Sequence, residues 1–355
     1  MKSLEIRPRV QKCIDEFIAE QRPILTKVSP SLNELADFTQ EFLSGGKRLR
    51  AAFCYWGYIG AGGEDSQEII CAATSLEFLQ ACALIHDDVM DASDTRRGKP
   101  SIHKRFEKMH KENKWLGETK QFGMGGAILL GDLVLSWADE LLLKSGLDAQ
   151  DLLRGKKIYD LMRTELMAGQ FLDIFEQTQN SFSIERALKI ARYKSGKYSI
   201  ERPLHFGAAL AHPDSNKEKL AVYLSIYSEY GLPLGEAFQL RDDLLGVFGD
   251  PIETGKPAGD DLREGKRTAL VSYAYEYGDS NIKTLLIEKL GKELSEHEIS
   301  TLRDALITSG AVAHIEDLIE KLSEIALDSI ERDELNPIGK KLLSEMVELV
   351  TKRSF

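Results

Sequence analysis

Only four cysteines occur in the 355 residues, at Cys13, Cys54, Cys71 and Cys82. No two are spaced as CxxC and none stands beside a histidine at a zinc-type interval, so a thiolate zinc site and a thioredoxin-type motif are excluded. That scarcity also excludes a disulfide scaffold and fits reduced core thiols in a cytoplasmic protein. Long apolar runs are missing as well. None reaches the ~18 residues that a membrane span needs, and the best candidate, Ala127 to Leu143, is interrupted by Asp132 and Asp139. The opening Met1-Lys2-Ser3-Leu4-Glu5-Ile6-Arg7 lacks the apolar core of a signal peptide. Basic excess is absent too. Lys and Arg number 46 against 57 Asp and Glu, a formal net charge of −11, which argues against a nucleic-acid partner. An anionic substrate held by a local basic cluster stays compatible with that balance.

Proline is sparse, with 10 residues, and strand-like alternation is not found. What is present is helical periodicity. Leu129, Leu133, Trp137 and Leu141 recur at four-residue intervals, and Ile315, Leu318, Leu322 and Ile325 follow mixed three and four spacing. The expected fold is therefore all-α, with roughly ten or more helices. No Ser/Gly/Pro-rich linker divides the chain, so residues 1–355 are expected to form one domain. Two stretches read as long loops, Ser93 to Gln121 and Gly249 to Arg267. Loops of such length inside a compact domain are usually functional or disordered.

Each of those loops follows an acidic pair that ends an apolar helix. The first is Asp87-Asp88-Val89-Met90-Asp91, in which Asp87 and Asp91 are four apart and share one helical face. Like charges so placed destabilise a bare helix, and a magnesium ion, which takes oxygen ligands, offsets that repulsion. The second is Asp242-Asp243 within Phe238-Gln239-Leu240-Arg241-Asp242-Asp243-Leu244-Leu245-Gly246. Basic groups are interleaved with these acids. Ser44-Gly45-Gly46-Lys47-Arg48-Leu49-Arg50 is expected to open a helix, with Lys47 and Arg50 on one face, where backbone N–H groups and the helix dipole favour an anion. It is not a P-loop, because GxxxxGK[ST] is absent. Arg96-Arg97-Gly98-Lys99 follows the first acidic cluster, and Lys194, Lys197, Lys256, Lys266 and Arg267 lie later. The combination suggests two diphosphate sites, one bridged by metal and one built from Lys and Arg.

The chain resembles the trans-prenyltransferases, the polyprenyl (isoprenyl) diphosphate synthases, and geranylgeranyl diphosphate synthases among them. The resemblance rests on GGKRLR at 45–50, DDVMD at 87–91, TRRGKP at 95–100, GQFLD at 169–173, KSGKY at 194–198, and FQLRDD at 238–243 with GDPIETGK at 249–256, all in family order. It implies an all-α fold around a deep apolar cavity, a homodimer, and Mg2+, two or three ions per site. By that resemblance Asp87, Asp88, Asp91 and Asp242 hold the metals. Arg96, Lys194 and Lys256 hold the allylic diphosphate (dimethylallyl, geranyl or farnesyl), with Lys266 near it. Lys47, Arg50 and Arg97 hold isopentenyl diphosphate, which Gln80 also touches. Gln239 and Ser195, the latter where many members carry Thr, complete the substrate set. Gln170 and Asp173 match a polar pair near the metals.

One departure stands out. The second motif usually ends in a third Asp, and here that position is Gly246. The implied reaction is ionisation of the allylic diphosphate, attack by the isopentenyl double bond, and proton loss. Leu79, Cys82 and Ala83 precede the first motif and are expected to set product length. Cys82 and Ala83 are small where members that stop at fifteen carbons often carry aromatic residues, so a geranylgeranyl product is expected. Farnesyl or longer products, a class I terpene cyclase and a non-catalytic partner subunit are the alternatives. Lys47, Arg50 and Arg97 argue against the cyclase, which needs no second diphosphate site.

Overall fold

The computed structural model describes residues 5–179, 181–211, 217–250 and 259–352. It is built from helices, as the periodicity predicts. In chain order come α1 (Arg7–Val28), α2 (Asn33–Phe42), α3 (Leu49–Gly60), α4 (Gln67–Met90), α5 (Ile102–Glu112), α6 (Thr119–Leu143), α7 (Ala149–Gln177) and α8 (Ile184–Ile190). The chain then winds through a π-helical stretch, Ala191–Glu201, directly into α9 (Arg202–Ala211). The long α10 (Lys217–Phe248) follows, and the remaining chain forms further helices at Asp260–Arg263, Ala269–Tyr277, Ser280–Lys289, Glu296–Thr308, Ala311–Ser329 and Pro337–Thr351.

The segment expected as a loop from Ser93 to Gln121 is a correction. It contains a two-residue hairpin, Thr95–Arg96 paired antiparallel with Lys99–Pro100, and then α5. Arg97 (φ 54°) and Gly98 (φ 72°) are both left-handed, the conformation that a two-residue hairpin turn demands. Helix α5 was hidden by its polar composition. Its buried stripe is Ile102, Phe106 and His110, one residue per turn, and Phe106 meets Phe38 edge-on at 5.0 Å.

Helix α4 is the spine of the site. The Ser66 side chain caps it by accepting from the Ile69 N–H, and its apolar residues run on every side. Among the described residues it, not Ala127 to Leu143, is the helix long and apolar enough to cross a membrane. Here it is a core helix: Leu76, Phe78, Leu79 and Cys82 are wholly buried, which explains why it has no polar face.

Two apolar cores form. One gathers α1, α3, α4, α6 and α9. The other lies among Leu240, Leu244, Leu270, Leu302 and Ile315, and α10 contributes to both. Helix α10 approaches the π-helical stretch with backbone against backbone. A Cβ on Gly235 would stand 2.4 Å from the Gly196 Cα, so only paired glycines permit this crossing. That contact fixes Lys194 and Ser195, two and one residues before Gly196, opposite the acidic end of α10.

Candidate active site

A cavity of about 690 Å3 opens between α4, α7, the π-helical stretch and α10. Asp87 reaches it from the end of α4, and Asp242 and Asp243 from the end of α10. Both acidic motifs, 155 positions apart in the chain by their first aspartates (Asp87 and Asp242), thus line one hollow. Asp87 Oδ1 accepts from Gln170 Nε2 at 2.9 Å and faces Lys194 Nζ at 3.5 Å. Lys194 also pairs with Asp173 at 2.6 Å. The π-helical turn presents Lys194 and Ser195 to the cavity, an irregularity that recurs at functional sites.

Not every predicted metal residue faces the same way. Asp88 is wholly buried, takes Arg96 Nε at 2.8 Å and does not line the cavity, because one step along a helix turns a side chain by 100°. Asp91, one turn beyond Asp87 at the helix end, does not line the cavity either; its carboxylate is buried with Lys266 Nζ 3.4 Å away. Lys266 also meets Asp261 at 3.1 Å and pairs closely with Glu264. Asp260 and Asp261, from the short helix after α10, line the cavity beside Gly246.

The basic residues divide similarly. Lys47, Arg50, Gln80, Arg96, Lys194, Ser195, Gln239 and Lys266 all line the cavity. The reading of GGKRLR as a helix start needs one change. Helix α3 begins at Leu49, and Lys47 precedes it in the loop. Arg48 is left-handed (φ 56°) and buried, where it binds Glu77 at 3.4 Å and Gln11 at 2.7 Å. Arg48 is the residue that sequence reasoning missed: it pins the turn between Lys47 and Arg50. Arg97 does not line the cavity; its guanidinium lies over Gly46, with the nearest nitrogen 3.3 Å from where a Cβ would be. Lys197 is held by Glu165 at 2.8 Å, away from the cavity. Lys256 lies outside the described residues.

Orphaned polar atoms point to what the cavity takes. Arg50 stacks on Tyr198 at 4.3 Å and donates to Ser199 Oγ at 2.6 Å, yet its Nε is buried without a hydrogen bond. Gln80 Oε1 is likewise buried and unsatisfied. Such groups cost free energy until a polar ligand meets them. No three acidic, His or Cys groups among the described residues converge into an all-protein metal cage. The donors facing the cavity are carboxylate oxygens from four separate helices, α4, α7, α10 and the short helix Asp260–Arg263, which suits Mg2+, an ion held by one or two carboxylates plus substrate phosphate and water.

Burial and the neighbouring acids shape the charges. Burial pushes the Asp91 carboxyl up to about 6, with Asp87 and Glu264 adding to the rise and Lys266 opposing it. Burial also pushes Asp243 up to about 8, against the Gln239 hydrogen bond of 2.7 Å and with help from Asp261 and Asp242. Burial opposes the charge on Lys194 and Lys266, but the surrounding carboxylates prevail and both are raised, so both stay cationic. A pH effect follows. The folded chain keeps the Asp243 proton until about pH 8, whereas the unfolded chain releases it near ~3.9. Its contribution to stability is full below that lower value and is lost as pH rises through about 8. Asp243→Asn removes this loss. In chelator, the thermal midpoint of the variant is expected to gain on wild type steadily between pH 4 and pH 8; a constant gap would refute the assignment.

An all-α chain whose two acidic helix ends and lysines surround one cavity is suited to hold a metal-bound anion such as a diphosphate. Comparison with known proteins narrows this. A sequence profile of the polyprenyl synthetase family matches residues 32–306, and the chain belongs to that family of prenyltransferases. The geranylgeranyl pyrophosphate synthase of Corynebacterium glutamicum, crystallised with isoprenyl diphosphate and magnesium, is 36% identical with a TM-score of 0.93 over 99% of both chains. The geranylfarnesyl diphosphate synthase of Aeropyrum pernix is 31% identical over 87% of this chain and 91% of its own length. The geranylgeranyl diphosphate synthase of Sulfolobus acidocaldarius is 29% identical over 98% of this chain and 97% of its own.

Proposed function

We propose that the chain, acting as one domain, condenses isopentenyl diphosphate head to tail with an allylic diphosphate, requires Mg2+, and makes geranylgeranyl diphosphate. The observation that carries this reading is the meeting of Asp87 and Asp242 in one cavity with Lys47, Arg50, Lys194 and Lys266. Asp87, Asp91 and Asp242 would hold Mg2+, which when bound neutralises the diphosphate leaving group. Lys194 and Lys266 sit among those acids and stabilise the negative charge as the carbon–oxygen bond breaks and the diphosphate leaves with its electron pair. Lys47, Arg50 and the unsatisfied Gln80 orient the isopentenyl diphosphate, whose double bond attacks the allylic cation before a proton is lost. Leu84, Leu166 and Phe238 give the cavity apolar walls that keep water from the cation. The test is incubation of the purified chain with Mg2+, isopentenyl diphosphate and each primer (dimethylallyl, geranyl, farnesyl), with mass analysis of the dephosphorylated alcohols. Twenty-carbon product is expected, and diphosphate release without isopentenyl diphosphate would favour a cyclase instead.

Of the residues expected to set length, Ala83 lines the cavity. Leu79 is wholly buried one turn before Ala83 on the same face of α4, and Cys82 is wholly buried to one side, its Sγ 3.7 Å from His86 Nδ1. Length control at the cavity wall is therefore assigned to Ala83, with Leu79 one turn beneath it on the same face. Ala83→Phe is expected to shift the main product from twenty to fifteen carbons in the same assay, and an unchanged mixture would remove that assignment.

A homodimer fits the surface. Helices α6 and α7 leave Ile128, Leu129, Met167, Phe171 and Phe175 exposed, with Leu129 at 69% and Phe171 at 67%. Large apolar groups concentrated on two helices mark a surface that a second subunit covers.

A further inference from the structure

Two thiols that the condensation does not use lie against each other. Cys13 on α1 and Cys71 on α4, 58 positions apart in the chain, place their Sγ atoms 3.0 Å apart, and neither is in a disulfide. Cys13 is buried, whereas Cys71 is partly exposed and within reach of a small solute. Gln67 Nε2 also faces the Cys71 sulfur, at 3.7 Å. The hydrogen bond from Cys13, helped by Gln67, brings the Cys71 thiol down to about 7 against burial and the charges of Glu16 and Glu68. A thiol so held is largely thiolate near neutral pH, which is its nucleophilic form. The same hydrogen bond and burial raise Cys13, which keeps its proton. Cys54 and Cys82 are buried, and burial raises both. The two helices that carry the pair are already joined by Arg48, which donates to Gln11 on α1 at 2.7 Å and pairs with Glu77 on α4 at 3.4 Å. Between Cys13 and Cys71 the chain runs through α2, the segment carrying Lys47 and Arg50, and α3.

We propose that Cys13 and Cys71 are a reversible redox pair, oxidised by hydrogen peroxide to a disulfide that tethers α1 to α4. The Cys71 thiolate attacks one peroxide oxygen; an S–O bond forms as the O–O bond breaks, and hydroxide leaves with the electron pair. Cys71 is then a sulfenic acid, its sulfur having lost the two electrons that the peroxide gained. Cys13 gives up its proton and attacks that sulfur. The S–S bond forms as the S–O bond breaks, and the departing hydroxide takes the proton as water. A dithiol reductant returns two electrons and two protons and restores both thiols. The disulfide closes a loop of chain around Lys47 and Arg50 and adds a covalent bond to the tie that Arg48 makes between the same helices. Closing such a loop restricts the unfolded chain and so stabilises the folded one.

The test treats the reduced full-length protein with hydrogen peroxide, blocks the remaining thiols with iodoacetamide under denaturing conditions, and maps the peptides by mass spectrometry without reductant. A linked pair of peptides carrying Cys13 and Cys71 is expected, with Cys54 and Cys82 alkylated, and dithiothreitol should return all four thiols. The thermal midpoint of the oxidised protein should exceed that of the reduced protein by roughly 5 °C. That rise should be absent in Cys13→Ser and in Cys71→Ser. In Cys13→Ser the reaction should stop at the Cys71 sulfenic acid, which dimedone traps. Four free thiols after peroxide, Cys71 oxidised without linkage to Cys13 in the wild-type chain, or a bond between two chains would each overturn the proposal. An unchanged midpoint in the linked protein would overturn the tether.

Discussion

Asp87→Ala is expected to lower kcat by at least ~10²-fold, the scale of losing one strong electrostatic stabiliser of a transition state. The reason is the position of this carboxylate. It faces the cavity from the end of α4, accepts from Gln170 at 2.9 Å, and stands within 3.5 Å of both Lys194 and Arg96. Removing it takes away a metal ligand and leaves two cations short of a counter-charge at the point where the diphosphate must leave. Steady-state kinetics at saturating Mg2+ checks the effect, with circular dichroism to show that the fold survives. Turnover near wild type would show that Asp87 has no part in ionisation.

Lys194→Ala carries the second large effect. Lys194 bridges Asp87 on α4 and Asp173 on α7, at 3.5 and 2.6 Å. Without it two carboxylates face each other across the cavity, and the leaving diphosphate loses an ammonium group. A kcat loss of about 10²-fold is expected. Lys194→Arg restores charge but not shape, since a planar guanidinium does not replace a compact ammonium. It should recover part of that loss and not all. A variant that alters KM for the allylic substrate while leaving kcat unchanged would restrict Lys194 to binding.

Much of this site is legible in the sequence because its parts sit on strongly periodic helices. Asp87 and Asp242 each end an apolar run, and such a run both buries the helix and delivers its polar end to the cavity. Lys194 and Ser195 were legible as a motif, but not the π-helical winding that presents them, since it depends on Gly196 meeting Gly235 on another helix. Facing is harder to read than placement. Cys82 and Ala83 are neighbours on α4, yet one packs beside His86 and the other lines the cavity. Asp87 and Asp88 part in the same way. Periodicity fixes the relative angles of these side chains, and only the surrounding helices decide which angle is the cavity. The resemblance groups Arg97 with Lys47 and Arg50, but its placement on a hairpin turn, left-handed and over Gly46, could not be read from the motif. Least legible was the contact between Gly246 and Asp261. Gly246 stands out in the sequence as a missing carboxylate, but the chain path that brings Asp261 against it is not written in local spacing.

The central claim is that the ends of α4 and α10 act as two acidic walls around metal ions bound to one diphosphate. Anomalous diffraction from crystals soaked with Mn2+ and an unreactive thio analogue of the allylic diphosphate tests it most directly. The account predicts Mn2+ peaks coordinated by Asp87 and Asp91 on one side and by Asp242 on the other, with the diphosphate between them. Peaks lying elsewhere, with the carboxylates of Asp87 and Asp242 bound to neither metal nor diphosphate, would contradict it.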